Sequence, residues 1–283
     1  MDELIEQLAC LAAGGGVVTL SGAGVSTDSG IPDYRGPTGA IRRTAPMTYR
    51  EFVTDPFARQ RYWARSQVGW GHVRRARPNA AHTAVAALER GGWTAGLITQ
   101  NVDGLHHAAG SRKVVELHGN LARTVCLSCG DRRSRREMAE RLTDANPDFD
   151  QRSTAVAPDG DADLDVAVER GFTVVGCTRC GGVLKPDVVF FGESVPRPRV
   201  ARCYAMVDAA RLLLIVGSSL TVMSGYRFVI HARKHGIPVA IVNRGSTRGD
   251  DDAVVRIDAG LADVLPGLVD RLGADDRPAT AAG

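Results

Sequence analysis

Short apolar runs and amphipathic segments alternate along most of this chain. Residues 3–13 have the period of an amphipathic helix, and Val17–Leu20 is a short apolar strand running into Ser21-Gly22-Ala23-Gly24. Further buried strands are predicted at Leu97–Thr99, Val114–Leu117, Val188–Phe191, Leu212–Val216, Val239–Val242 and Val254–Ile257. Helical patterns at 80–90, 198–210, 225–235 and 261–272 separate several of them. Alternation of this kind predicts an α/β fold, a Rossmann-like parallel sheet covered on both faces.

Two segments break the alternation. Residues 48–78 are rich in Arg and Trp and read as helical with no strand. Residues 123–184 hold four of the six cysteines and a polar stretch at 144–165. Both read as insertions that together build a smaller zinc-ribbon and helical domain. The expected organisation is a discontinuous nucleotide-binding domain (1–47, 79–122 and 185–273), the small domain (48–78 and 123–184), and a disordered tail at 274–283.

Charge narrows the partners. A formal net charge of +3 on 283 residues gives no electrostatic case for nucleic acid or an anionic membrane. Lys113, Lys185 and Lys234 are the only lysines among 35 basic residues, which fits genome composition better than a binding patch. The first residues lack the pattern of a signal peptide, and Asp2, Glu3 and Glu6 argue against a transit peptide. Apolar runs such as Leu212–Val216 are too short to span a bilayer. The expectation is a soluble, cytoplasmic protein and a monomer.

Cys126-x-x-Cys129 and Cys177-x-x-Cys180 form two knuckles, each followed by a glycine, Gly130 or Gly181. Four thiolates match a closed tetrahedral zinc site, although the separation of the two pairs exceeds the usual ribbon spacing. The competing reading is two disulfides or four unrelated thiols, which a reducing compartment disfavours. Cys10 and Cys203 fall on helical patterns and read as buried thiols.

Gly22-Ala23-Gly24-Val25-Ser26 follows a strand, where small residues let backbone N–H groups approach a phosphate. The ordinary dehydrogenase fingerprint is incomplete, because Thr27 stands where a third glycine is wanted. The continuation, Ser29-Gly30-Ile31-Pro32-Asp33-Tyr34-Arg35, is not generic loop composition.

Seven motifs then occur in order: GAGVSTDSGIPDYR at 22–35, TQNVDGLH at 99–106, ELHG at 116–119, the two CxxC pairs, LKPDVVFFGE at 184–193, GSSL at 217–220 and NR at 243–244. Together they closely resemble the sirtuin family over residues 4–272. RYWAR at 61–65, Val68-Gly69-Trp70, APDGD at 157–161 and SGYRF at 224–228 resemble its class II branch, which carries an extra zinc-domain loop; residues 144–170 are the candidate. A bacterial member fits better than the mitochondrial one.

The resemblance implies an NAD-dependent protein lysine deacylase. Nicotinamide leaves NAD, and the acyl group passes from lysine to ADP-ribose. His118 matches the base, and a histidine titrates near neutrality as that role needs. Asn101 matches a ribose contact, Gln100 and Val102 flank it, and Asp103 matches the contact to the nicotinamide carboxamide. Gly22, Ala23, Gly24, Ser26, Asp33, Tyr34 and Arg35 match the NAD loop, with Tyr34 in place of the commoner phenylalanine. Gly217, Ser218 and Ser219, then Asn243, Arg244, Gly245 and Leu261, match the adenosine side. Val189, Phe190, Phe191 and Gly192, with Thr221–Ser224, match the strands that flank an acyl-lysine peptide. Tyr62 and Arg65 resemble a pair that holds an acidic acyl group, and three-residue helical spacing would put them on one face. They read equally well as packing residues. The resemblance also leaves mono-ADP-ribosyl transfer open. A nicotinamide-dependent oxidoreductase and a zinc-ribbon nucleic-acid module fit less of the chain.

Overall fold

The computed structural model describes residues 1–33, 46–149, 164 and 169–273. Tyr34, Arg35, most of the 144–170 loop and the 274–283 tail lie outside the described residues.

The larger sheet has six parallel strands: β1 (Val17–Ser21), β2 (Thr94–Thr99), β3 (Val114–Glu116), β7 (Leu212–Val216), β8 (Val239–Val242) and β9 (Val255–Ile257), in the order β3-β2-β1-β7-β8-β9. The apolar run of β7 is buried at all five positions, because neighbouring side chains go to opposite, equally covered faces. Leu212, Leu214 and Val216 join one core with α1 (Asp2–Ala12), α4 (Ala80–Arg90) and α9 (Leu261–Leu272). Leu213 and Ile215 join a second core with α7 (Arg197–Asp208) and α8 (Met223–Lys234).

A three-stranded antiparallel sheet, in the order β5-β4-β6, comprises β4 (Gly119–Cys126), β5 (Arg132–Ser134) and β6 (Leu184–Val188). A third core joins it to α2 (Tyr49–Thr54), α3 (Pro56–Arg75) and α6 (Arg135–Ala145), around Phe52, Trp63, Met138, Leu142 and Phe172. Thr48 and Glu51 form a reciprocal cap on α2, and Asp55 with Pro56 starts α3.

One strand expectation fails. Val188–Phe191 was expected in the parallel sheet, but the strand is Leu184–Val188 and pairs antiparallel with β4. The apolar Val-Phe-Phe run instead leaves the sheet as a loop, bridging Thr48 through Phe191. Its apolar character serves a cavity wall rather than a sheet interior. No helix among the described residues is long and apolar enough to cross a membrane.

Candidate active site and cysteine centre

Chain order reverses between β1 and β7, and open α/β sheets bind ligands at the carboxyl ends of strands at such a switch point. The loops leaving these two strands cross in contact. Gly24 N–H donates to the Gly217 carbonyl at 2.9 Å, and Gly22 N–H to that of Val216 at 3.0 Å. A Cβ on Gly24 would lie 2.9 Å from the Gly217 oxygen, and one on Gly217, at φ +60°, 2.6 Å from the Val25 nitrogen. The glycines are thus required by each other's backbone. Asn79, the cap of α4, donates to the Val25 carbonyl at 2.8 Å and ties that helix to the loop.

A cavity of about 600 Å³ opens here, lined along one side by Gly22, Ala23, Gly24, Ser26 and Asp33 and along the other by Gly217, Ser218, Ser219, Asn243, Arg244 and Gly245. Gln100, Asn101, Val102, Asp103 and His118 form its centre, and Tyr62 with Val189, Phe190, Phe191 and Gly192 its far wall. Leu261 does not line it. Its side chain is buried in the core behind Gly217. Leu220, with φ 56°, is the non-glycine residue with positive φ among the described residues, and it also lines the cavity.

His118 follows β3. Its Nδ1 lies 2.9 Å from the Gln100 carbonyl oxygen, and its Nε2 lies 2.8 Å from Ser224 Oγ. A carbonyl can only accept, so Nδ1 carries the proton and Nε2 is the acceptor, receiving the Ser224 hydroxyl. Burial pushes the imidazole below its usual range and the charges of Arg199 and Arg227 add to this, while the Gln100 hydrogen bond opposes. The ring is therefore neutral near pH 7.

Asp103 accepts from Ser26 Oγ at 2.7 Å and from Leu105 N–H at 2.8 Å. Burial nevertheless raises its carboxyl above the usual range. Asn101 Nδ2 donates to Ser26 Oγ at 3.0 Å, and Gln100 Nε2 to Ser218 Oγ at 2.9 Å. Behind this row lie two buried imidazoles whose centroids are 4.9 Å apart. His82 faces Ser26, and His106 bonds Ser21 at 2.9 Å. Burial lowers His82 to about 4 and takes His106 well below its ordinary value, helped by His82 and His107.

The far wall is stapled by an ion pair. Lys185 contacts Glu193 at 3.1 Å and the Val188 carbonyl, and Glu193 accepts from Phe190 N–H at 2.9 Å. Tyr62 packs edge-on to Phe52 and Phe190, with centroids 5.5 and 5.2 Å away. Arg65 does not share its place. It is buried outside the cavity lining and its Nε pairs with the buried carboxylate of Glu169. A buried guanidinium needs a counter-charge, and here the chain itself supplies one.

Cys126 and Cys177 are buried, and Cys129 and Cys180 lie at the surface. Their sulfurs all lie within 4.8 Å of one another, with Cys126–Cys180 at 3.5 Å and Cys129–Cys177 at 3.8 Å. Tetrahedral zinc with bonds of about 2.3 Å places its sulfurs about 3.8 Å apart, whereas a disulfide needs about 2.05 Å. The donor set fits a closed zinc site. The knuckles match one another: Gly130 N–H donates to the Cys126 carbonyl and Gly181 N–H to that of Cys177, both glycines at positive φ.

Of the residues expected in the site, Arg65 and Leu261 are not brought to it. Sequence reasoning missed Ser224 as a partner of His118, and also Lys185, Glu193, His82 and His106. Lys185 and Glu193 could have been singled out as charges bracketing an apolar loop. His106 closes the TQNVDGLH motif, which was a signal for it, whereas nothing in the sequence separates His82 from a surface histidine.

A profile described as the Sir2 family matches residues 22–224. The chain is 59% identical to "NAD-dependent protein deacetylase 1" of Streptomyces coelicolor, over 92% of this chain and 87% of that protein. It is 54% identical to "NAD-dependent protein deacetylase 1" of Mycobacterium avium, over 94% and 95% of the two chains. Among solved structures, one described as "Sir2-p53 peptide-NAD+" superposes with a TM-score of 0.76 at 28% identity, covering 95% of this chain and 98% of that one. Another, "Sir2 bound to acetylated peptide", gives a TM-score of 0.75 at 26% identity, covering 95% and 99%. With the switch-point cavity, the imidazole at its centre and the cysteine tetrad in place, this chain belongs to the Sir2 family.

Proposed function

We propose that this chain is an NAD-dependent protein lysine deacetylase. The observation that carries the reading is the His118 imidazole, neutral, fixed in one tautomer and aimed into the switch-point cavity. NAD is a substrate of this reaction: it supplies an electrophilic ribose carbon as nicotinamide departs, and ADP-ribose carries the acyl group away. His118 Nε2 accepts a proton from a ribose hydroxyl, and the Gln100 carbonyl steadies the imidazolium that results. Asn101 and Asp103 orient the nicotinamide end, with Ser26 holding both side chains. Gly217–Ser219 and Asn243–Gly245 take the adenosine side. Ser224 donates to the same acceptor nitrogen that the ribose hydroxyl needs, so the two compete for it.

The acyl-lysine lies between the stapled Val189–Gly192 loop and the segment before α8, beside Tyr62 and Phe190. These walls are aromatic and aliphatic, and the nearby guanidinium of Arg65 is engaged with Glu169. They favour a short apolar acyl group such as acetyl. Cys126, Cys129, Cys177 and Cys180 would hold a zinc ion with four protein ligands, which would tie the small sheet together rather than supply chemistry.

The test is an acetyl-lysine peptide incubated with protein and NAD. Nicotinamide and deacetylated peptide should appear in equal amounts. Label from NAD transferred to protein without loss of acetyl, or NAD reduced with its nicotinamide retained, would overturn the reading. Higher activity on succinyl- than acetyl-lysine would overturn the acyl assignment alone.

A further inference from the structure

Away from the cavity, α7 and α8 pack against each other, and their C-terminal ends meet. Asp208 is the last residue of α7. His231 lies in the last turn of α8, and His235 caps it. The ligating atoms of these three residues lie within 4.8 Å of one another. His231 Nε2 contacts Asp208 Oδ1 at 2.5 Å. His235 Nδ1 lies 2.8 Å from the His231 carbonyl oxygen, so Nδ1 carries the proton and the lone pair sits on Nε2. A ligating histidine is oriented in this way, with its other ring nitrogen tied to a carbonyl. The two imidazoles lie 4.1 Å apart, and Tyr204 packs against His231 at 4.7 Å.

The ion pair accounts for Asp208 and His231, and the helix cap accounts for the bond of His235 Nδ1; neither uses the lone pair that this tautomer leaves on His235 Nε2. Two helix C-termini add negative potential there. The neighbouring Arg233 is paired with Asp252. We propose that Asp208, His231 and His235 form a second metal site, separate from the cysteine tetrad, for a divalent transition ion of the zinc and nickel class. Two imidazoles and one carboxylate suit such ions over calcium or magnesium, and three protein ligands leave a position for water. On binding, the proton on His231 Nε2 passes to solvent as the nitrogen takes the metal.

The test is calorimetric titration of untagged protein, its cysteine site already filled with zinc, with Zn²⁺ and separately with Ni²⁺ near neutral pH. One further equivalent should bind. His235→Ala and Asp208→Asn should each weaken it at least about tenfold, with the tetrad zinc and the melting temperature of the otherwise metal-free protein unchanged. Absence of a further equivalent, or binding that survives undiminished in both variants, would overturn the site.

Discussion

In β7 every side chain is buried, whereas in β5 all three are exposed. Fully burying a large aliphatic side chain contributes about 1.5–3 kcal/mol, and ordering each backbone residue costs about 1–2 kcal/mol. The five aliphatic residues of β7 therefore repay their own ordering, and Arg132–Ser134 cannot. The small sheet draws instead on the aromatic core beneath it and on the four sulfurs at the end of β4. One sheet is specified by burial, the other by burial and coordination together. The glycine loops that line the cavity leave the first sheet, at the carboxyl ends of β1 and β7.

The largest expected effect separates the two sheets directly. Cys177→Ser or strong chelation should remove structural-zinc binding energy on the order of 10 kcal/mol. Amide exchange should then accelerate at Thr124 and Lys185 while Leu214 and Ile241 stay protected. Equal loss in both sheets would break the comparison. Next in size, His118→Ala should lower deacetylation by about a hundred- to ten-thousand-fold with no change in melting temperature, because the ring belongs to none of the three cores. A variant that is inactive and also unfolded would move His118 from chemistry to stability.

Acid should act through the layer behind the cavity. His82 titrates near pH 6.5 when unfolded and at about 4 when folded, so the unfolded chain binds the extra proton between these values. Stability is then fully present above pH 6.5 and is lost as pH falls towards 4, by about 3 kcal/mol for this ring alone. His82→Gln should flatten that slope in melts recorded from pH 7 to 5, and an unchanged slope would remove the buried ring from the account. The smallest effect belongs to Ser224→Ala. The serine donates to neutral His118, and one such bond is worth about 0.5–1.5 kcal/mol. Its loss should raise the imidazole pKa and move the acid limb of the kcat/KM profile to higher pH by up to about one unit. No movement would mean that Ser224 does not load the base.

The parallel sheet was legible in the sequence because most of its strand residues are apolar and because β1 and β7 run into glycines and small polar residues. The cysteine knuckles were legible because two CxxC pairs are rare. The antiparallel strands were not: β5 is Arg-Arg-Ser, and β6 carries Lys185 and Pro186, so neither shows a strand period. Arg65 misled for a related reason. Helical spacing constrains where a side chain emerges but not which carboxylate answers it, and Glu169 comes from 104 residues away. Ser224 was legible only as part of a peptide-binding segment, since its bond to His118 spans 106 residues.

The tie between His118 Nδ1 and the Gln100 carbonyl has a consequence for turnover. That nitrogen's proton faces an oxygen that cannot pass it on, so the ring is a proton terminus, not a relay. In the proposed role, a proton taken at Nε2 must leave by the face through which it arrived. Whatever stands at Nε2 must therefore take the proton before the imidazole can work again.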